Sequence, residues 1–111
     1  MRKITWIKTA AKDFKNFSQP VQEQIKFALQ VAAFGEMADI AKPMKGFDVG
    51  VFEISVAHRR DAFRCIYAVK LGDEIWVLHA FQKKSTQGIK TPKHEIDLIH
   101  ERIRRLKELL K

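Results

Sequence analysis

The sequence has a single cysteine, Cys65, among its 111 residues. No disulfide can form within the chain, so nothing indicates an oxidising compartment. Charged residues interrupt the first 25 positions at short intervals, which argues against a secretory apolar stretch, and no run approaches the roughly 18 apolar residues that a membrane helix needs. These absences predict a cytoplasmic protein with no membrane partner. Cys65 stands inside an apolar run, which predicts a buried core thiol.

Sequence signatures of metal and nucleotide sites are lacking as well. The four histidines and Cys65 show no metal-ligand spacing, and the pattern H-E-x-x-H does not occur. Gly46 and Gly50 precede a predicted strand instead of opening a helix, so no phosphate-cradling loop is indicated. We therefore expect a protein that uses neither a metal nor a cofactor.

Acidic residues are scarce relative to basic ones. The 13 Asp and Glu residues stand against 21 Lys and Arg residues, which gives a formal net charge of +8. Because phosphates that bind lysine and arginine release condensed counterions, such a charge favours nucleic acid as a partner. The alternative is a charge kept only for solubility. A protein partner with an acidic segment would fit the same excess and is compatible with a nucleic-acid partner. The length and the hydrophobic fraction of 46% predict one globular domain over residues 1–111.

The periodicity of apolar residues predicts an α+β fold. The predicted elements, in chain order, are a strand over 3–8, a helical hairpin over 10–17 and 18–34, a connecting loop over 35–50, strands over 51–57, 62–69 and 74–81, and a last helix that begins at 91–92. Ser18 with Pro20, and Thr91 with Pro92, are typical helix starts. Turn-sized separators between the three later strands predict an antiparallel meander. We expect the helices to lie together on one side of the sheet.

Alternation along the predicted strands separates a polar face from an apolar one. The polar face carries Glu53, Ser55, Arg64, His79 and Lys83, and we expect the helices to cover the other face. An arginine in the middle of an apolar strand needs either solvent or a counter-charge. Two interpretations of Arg64 stay open: a contact to a phosphate, and an ion pair with Glu53 across the hairpin.

A cationic cluster follows the last strand. No acidic residue occurs between Glu74 and Glu95, whereas this stretch holds four lysines and two histidines. Such a cluster suits RNA cleavage without a metal, in which the 2′-hydroxyl attacks the neighbouring phosphate with the help of a base, an acid and fixed positive charge. The candidate catalytic residues are Arg64, His79, Lys83 and Lys84. The candidate RNA contacts are Lys45, Glu53, Ser55, His58, Arg59, Arg60, Phe81, Lys90 and Lys93. For His79 the alternative is a packed, hydrogen-bonded core residue.

Three segments carry a family resemblance: KPMKGFDVGVFEISV at 42–56, RCIYAV at 64–69 and HAFQKKSTQGIKTPKHEID at 79–97. They resemble the RelE/ParE superfamily of type II toxin–antitoxin toxins, and specifically its phage-derived HigB-like branch. The resemblance covers essentially the whole chain. It implies the compact RelE-like toxin fold and a metal-independent endoribonuclease that cleaves mRNA on the ribosome.

The resemblance also implies partners and site residues. The partner would be a cognate antitoxin, typically with a helix-turn-helix domain, and DNA would be contacted only through the toxin–antitoxin complex. The family's strand arginine falls on Arg64, and its basic cluster falls on Lys83 and Lys84. The sequence differs from the best-studied RelE members because Glu53 and Ser55 stand where those have basic residues, and because a tyrosine near the last helix is lacking.

Two other functions remain open on the same scaffold. One is a ParE-like toxin that binds DNA gyrase and needs no catalytic residues. The other is a non-enzymatic RNA-binding module, for which stacked aromatic side chains on an open sheet face are expected. Only Phe81 is a candidate of that kind on the polar face.

Overall fold

The computed structural model of the chain describes residues 1–83 and 90–111. Lys84, one of the predicted catalytic residues, lies outside the described residues. The elements in chain order are β1 Ile4–Trp6, α1 Lys8–Phe14, α2 Gln19–Ala33, β2 Ala41–Pro43, β3 Val51–His58, β4 Asp61–Leu71, β5 Glu74–Lys83 and α3 Lys93–Leu109. None of these helices is long and apolar enough to cross a membrane.

The strands form one sheet in the order β1-β5-β4-β3-β2. β3, β4 and β5 are antiparallel neighbours, which confirms the predicted meander, and β1 pairs with β5 in parallel. β2 is a three-residue edge strand that pairs Ala41 with Ile54, inside the segment predicted to be a loop. Its last residue, Pro43, has no N–H to donate, and an edge strand tolerates this.

The helical hairpin of α1 and α2 packs on one face of the sheet. The predicted apolar stripe of α2 is buried, with Ile25 and Leu29 at 0% and 1% exposure. This stripe contacts the side chains that β3, β4 and β5 direct to the same face, including Ile54 and Cys65. Cys65 is fully buried, as predicted, and burial raises the pKa of its thiol.

The prediction that all helices lie on one side of the sheet is wrong. α3 packs on the opposite face, where Ile99 and Ile103 meet Ile66 and Leu78 in a second apolar cluster. The reason lies in β4, whose residues 63–68 are all buried. A strand with apolar residues on both faces needs a layer on each side of the sheet.

A bulge in β5 sets which side chains face α3. Ile66 of β4 pairs with His79, but the next residue of β4 pairs with Val77, so Leu78 is the extra residue. Leu78 joins the apolar cluster under α3, and His79 is hydrogen-bonded to α3. Strict alternation places these two neighbours on opposite faces, and that prediction is wrong at the bulge, because an inserted residue breaks the two-residue period.

Candidate active site

Glu53 and Arg64 form a buried ion pair on the sheet face that α3 partly covers. Arg64 lies opposite Ser55 in the β3–β4 register, which places Glu53 diagonally across the hairpin. Arg64 Nη1 lies 3.0 Å from Glu53 Oε1, and the two side chains are 7% and 3% exposed. Of the two interpretations of Arg64, the ion pair with Glu53 is therefore the arrangement that the structure has. Such a pair is desolvated, so each charge depends on the other.

Glu53 makes two more contacts that connect it to neighbouring elements. The Thr91 hydroxyl donates a hydrogen bond to Glu53 Oε2 and so joins the start of α3 to the sheet. Lys42 Nζ of β2 lies 4.0 Å from Glu53 Oε1. The carboxylate is therefore surrounded by one guanidinium, one ammonium and one hydroxyl.

This carboxylate lies in the wall of an open pocket of about 300 Å³, which we call the Glu53 pocket. Its lining residues are Lys42, Pro43, Met44, Lys45, Glu53, Lys90, Thr91 and Ile96. Three of these are lysines, and all three are exposed. The pocket thus offers positive charge at its rim, where a phosphate could approach, and the Glu53 carboxylate in its wall. Arg64, the ion-pair partner of Glu53, is not among the lining residues.

His79 is a residue of β5, and its side chain is hydrogen-bonded to α3. Arg102 Nη1 donates to His79 Nδ1 at 3.1 Å and to the Leu78 carbonyl at 2.7 Å. Because a guanidinium only donates, Nδ1 carries no proton, and His79 Nε2 donates to Glu95 Oε1 at 2.7 Å. Burial lowers the pKa of His79, whereas the hydrogen bond that His79 donates to Glu95 acts in the opposite direction. The ring stacks on Phe81 with centroids 4.9 Å apart.

This geometry leaves neither ring nitrogen of His79 available to take a proton from a substrate. The alternative of a packed, hydrogen-bonded core histidine is the arrangement that the structure has. Phe81 is also buried, at 8% exposure, so its ring is not presented on an open sheet face. Both residues instead help to seat α3 on the sheet.

Lys83 lies at the end of β5, opposite Ala62 of β4. Its Nζ donates to the Lys90 carbonyl at 2.7 Å, which ties the end of β5 to the rim of the Glu53 pocket. Lys93 is exposed at the start of α3, and its Nζ lies 3.2 Å from Asp97 Oδ2. The structure therefore connects Lys83 to the pocket and leaves Lys93 in an ion pair on the outer side of α3.

The β3–β4 hairpin presents a second basic group. Arg59 and Arg60 form its two-residue turn with φ of 49° and 71°, as a type I′ turn requires. Both arginines are exposed, and His58 pairs with Asp61 at the base of the turn. Ser55 is half-buried, and its backbone N–H donates to the Ile40 carbonyl. None of these residues lines the Glu53 pocket.

Four contact residues were missed by sequence reasoning: Lys42, Thr91, Glu95 and Arg102. Lys42 pairs with Glu53 only because the short strand β2 forms. The sequence pattern around Thr91 indicates only a helix start. Among residues 1–83 and 90–111, no group of three or more His, Cys, Asp or Glu side chains could hold a metal ion.

Comparisons with known proteins extend over nearly the whole chain. The model of the family described as phage derived protein Gp49-like (DUF891) matches residues 12–104. The crystal structure of the isolated E. coli RelE toxin matches with a TM-score of 0.60 at 16% identity, covering 96% of this chain and 99% of RelE. At this identity the likeness shows the fold, and it confirms the predicted RelE-like α+β architecture. No curated protein matches the sequence.

Proposed function

Because this chain belongs to the phage-derived Gp49-like family and has the fold of the RelE toxin, we propose that it is the toxin of a type II toxin–antitoxin system. We further propose that it belongs to the HigB-like branch and is a metal-independent endoribonuclease that cleaves mRNA. The Glu53 pocket is the observation that carries this proposal. Its lining combines a general-base candidate, Glu53, with a rim of exposed lysines, and the Arg64 guanidinium is ion-paired with that carboxylate. These groups offer the base and the positive charge that RNA cleavage without a metal requires.

Glu53 is the group that we assign as the base for the 2′-hydroxyl. Each carboxylate oxygen can accept more than one hydrogen bond, so the contacts of Glu53 with Arg64 and Thr91 leave capacity for a substrate hydroxyl. His79 has both ring nitrogens engaged, which supports a positioning role for that residue. This assignment gives Glu53 a chemical role in addition to the RNA contact expected from the sequence.

Positive charge around the pocket supports the remaining roles. Arg64 lies against Glu53 and would stabilise the charge that develops on the attacked phosphate. Lys42, Lys45 and Lys90 are exposed at the rim, where they would attract the RNA backbone. Lys83 and Lys84 are our candidates for protonating the leaving oxygen.

The proposed setting is the cytoplasm, where the protein would act on mRNA at the ribosome. We propose a cognate antitoxin, of the helix-turn-helix type, as its neutralising partner, and contact with DNA only through that complex. The net charge of +8 supports an RNA substrate, because association with a polyanion is driven by phosphate contacts.

The test is inducible expression without an antitoxin, followed by mapping of transcript 5′ ends. We expect growth arrest with new 5′ ends for the unaltered chain, and cleavage at least about 100-fold slower for Glu53→Gln, the range typical of a lost general base. Arg64→Lys should also lose cleavage, although it keeps a cation beside Glu53. Asp73→Asn, a carboxylate change in the exposed turn between β4 and β5, is the matched control and should cleave normally.

Four outcomes would contradict the proposal. Growth arrest without new 5′ ends rejects the nuclease, and arrest accompanied by DNA breakage favours gyrase as the target. Full cleavage by soluble, folded Glu53→Gln and Arg64→Lys would show that the active site lies elsewhere. Purified protein should keep cleaving RNA in EDTA, and loss of activity there would overturn the metal-independent mechanism.

A further inference from the structure

A larger concavity lies on α2, the helix that packs against the sheet face opposite Glu53. It is an open groove of about 800 Å³ between one stripe of α2 and the segment that leads to β2. Its lining residues are Pro20, Glu23, Gln24, Phe27, Val31, Glu36, Met37, Ala38, Asp39 and Ile40. We call it the α2 groove. None of the described groups assigned to RNA cleavage lines it.

Large apolar side chains are exposed in and beside the α2 groove. Phe27 is 65% exposed, Met37 is 49% exposed, and Phe34 at the end of α2 is 69% exposed. The core contacts of α2 are made by a different stripe, which includes Ile25 and Leu29. Packing within this chain therefore does not account for the position of Phe27. Clustered apolar exposure of this kind is typical of a binding surface.

The charge of the α2 groove is opposite to that of the protein. Its lining includes Glu23, Glu36 and Asp39, and none of the described lining residues is basic. The net charge of the whole chain is +8. Within the described part of the chain none of these three carboxylates forms a salt bridge. Six acidic residues elsewhere do, namely Asp48, Glu53, Glu95, Asp97, Glu101 and Glu108. The carboxylates at the groove are thus available to cations from outside.

We propose that the α2 groove binds a cationic amphipathic helix of a partner protein. The apolar stripe of that helix would cover Phe27 and Met37, and its lysines or arginines would contact Glu23, Glu36 and Asp39. Recognition of a helix in an apolar groove is a common binding mode, and the acidic rim decides the sign of the partner's charge. RNA and acidic peptides are repelled at this groove. The inference does not depend on the nuclease proposal.

The test uses a fluorescent model peptide of about 14 residues, built from leucine and lysine at helical spacing, and its counterpart with glutamate in place of every lysine. We expect fluorescence anisotropy to show binding of the lysine peptide and much weaker binding of the glutamate peptide. Tighter binding of the lysine peptide than of the glutamate peptide is diagnostic, because attraction by the net positive charge of the protein alone would favour the glutamate peptide.

Variants locate the binding. Phe27→Ser should weaken binding of the lysine peptide about tenfold or more, as expected for an aromatic anchor. The triple variant Glu23→Lys, Glu36→Lys, Asp39→Lys should abolish the preference for lysine. Asp73→Lys changes the charge in an exposed turn outside the groove and should bind normally. Circular dichroism checks that each variant is folded, and cleavage of RNA by Phe27→Ser should equal that of the unaltered chain.

Three results would overturn the inference. The first is equal or tighter binding of the glutamate peptide. The second is binding of the lysine peptide that Phe27→Ser and the triple variant leave unchanged. The third is a dimer in sedimentation equilibrium that Phe27→Ser dissociates, which would make a second copy of this chain the occupant. Because the peptide assay requires no RNA cleavage, failure of the nuclease proposal would leave these results interpretable.

Discussion

The two faces of the sheet are held together by different interactions. The face under α1 and α2 is an apolar core that includes the buried ring of Tyr67 and, among the described residues, no buried Asp, Glu, Lys, Arg or His side chain. The face under α3 carries the three buried side chains of those types, Glu53, Arg64 and His79. Buried charges contribute little net stability when paired and are costly when one partner is lost. The α3 face therefore depends on exact pairing, and it is also the face where we place the chemistry.

α3 is attached by polar contacts to the sheet and to the loop that precedes β3, in addition to its apolar stripe. Its start is joined to Glu53 through Thr91, and Glu95 and Arg102 hold His79 from the next turns. Near its end, Lys107 Nζ lies 2.9 Å from Asp48. α2, in contrast, is attached by a continuous apolar stripe. We therefore expect that loss of an ion-pair partner, and a fall in pH, destabilise the protein mainly by weakening the contacts on the α3 face.

The largest effect should come from removing one member of the buried ion pair. Arg64→Met leaves Glu53 buried without its closest counter-charge, and we expect the free energy of unfolding to fall by about 3–5 kcal/mol. Glu53→Gln combined with Arg64→Met should recover most of this loss, because no charge remains buried. Urea unfolding of the three proteins measures both values. A double variant as unstable as Arg64→Met would show that the face does not depend on matched charges.

A smaller effect should come from protonation of His79. In the unfolded chain a histidine takes up a proton as the pH falls through about 6.5, but burial keeps the pKa of folded His79 lower. The folded state therefore loses stability as the pH falls below about 6.5, and this residue has no effect above that value. The loss is at most about 1.4 kcal/mol per pH unit.

Urea unfolding of the protein and of His79→Gln between about pH 7.5 and 5.5 isolates this contribution. We expect a shallower loss of stability for the variant. If the free energy of unfolding fell equally with pH in both proteins, His79 would titrate equally in the folded and unfolded states. Its contacts with Glu95 and Arg102 argue against this result.

The smallest response is expected from Cys65, on the face under α1 and α2. Its thiol is fully buried, and burial raises its pKa, so little thiolate is available to react. The folded protein should therefore resist thiol reagents at neutral pH and react at once in denaturant, which mass spectrometry can follow. Rapid labelling of the folded protein would show that the apolar core opens more readily than its packing suggests.

Sequence reasoning was most successful where the signal is local. The stripe of α2 and the meander of β3, β4 and β5 follow from periods of 3.6 and 2 residues, and both are confirmed. It failed at β2, whose three residues carry no period, and at Leu78, where the bulge shifts the pattern. In the candidate site, Arg64 and Glu53 were recognised as possible partners, whereas Thr91 and Arg102 were not.

By itself, the sequence determined the helices, the main strands, the excess of positive charge and the polar residues inside apolar strands, because each of these is a property of neighbouring residues. Only the tertiary structure decided that α3 covers the face opposite α2, that His79 is enclosed between Glu95 and Arg102, and that Glu53 lies beside a pocket with a lysine rim. These arrangements depend on strand register and on packing between residues far apart in the chain, for which a local pattern carries no signal.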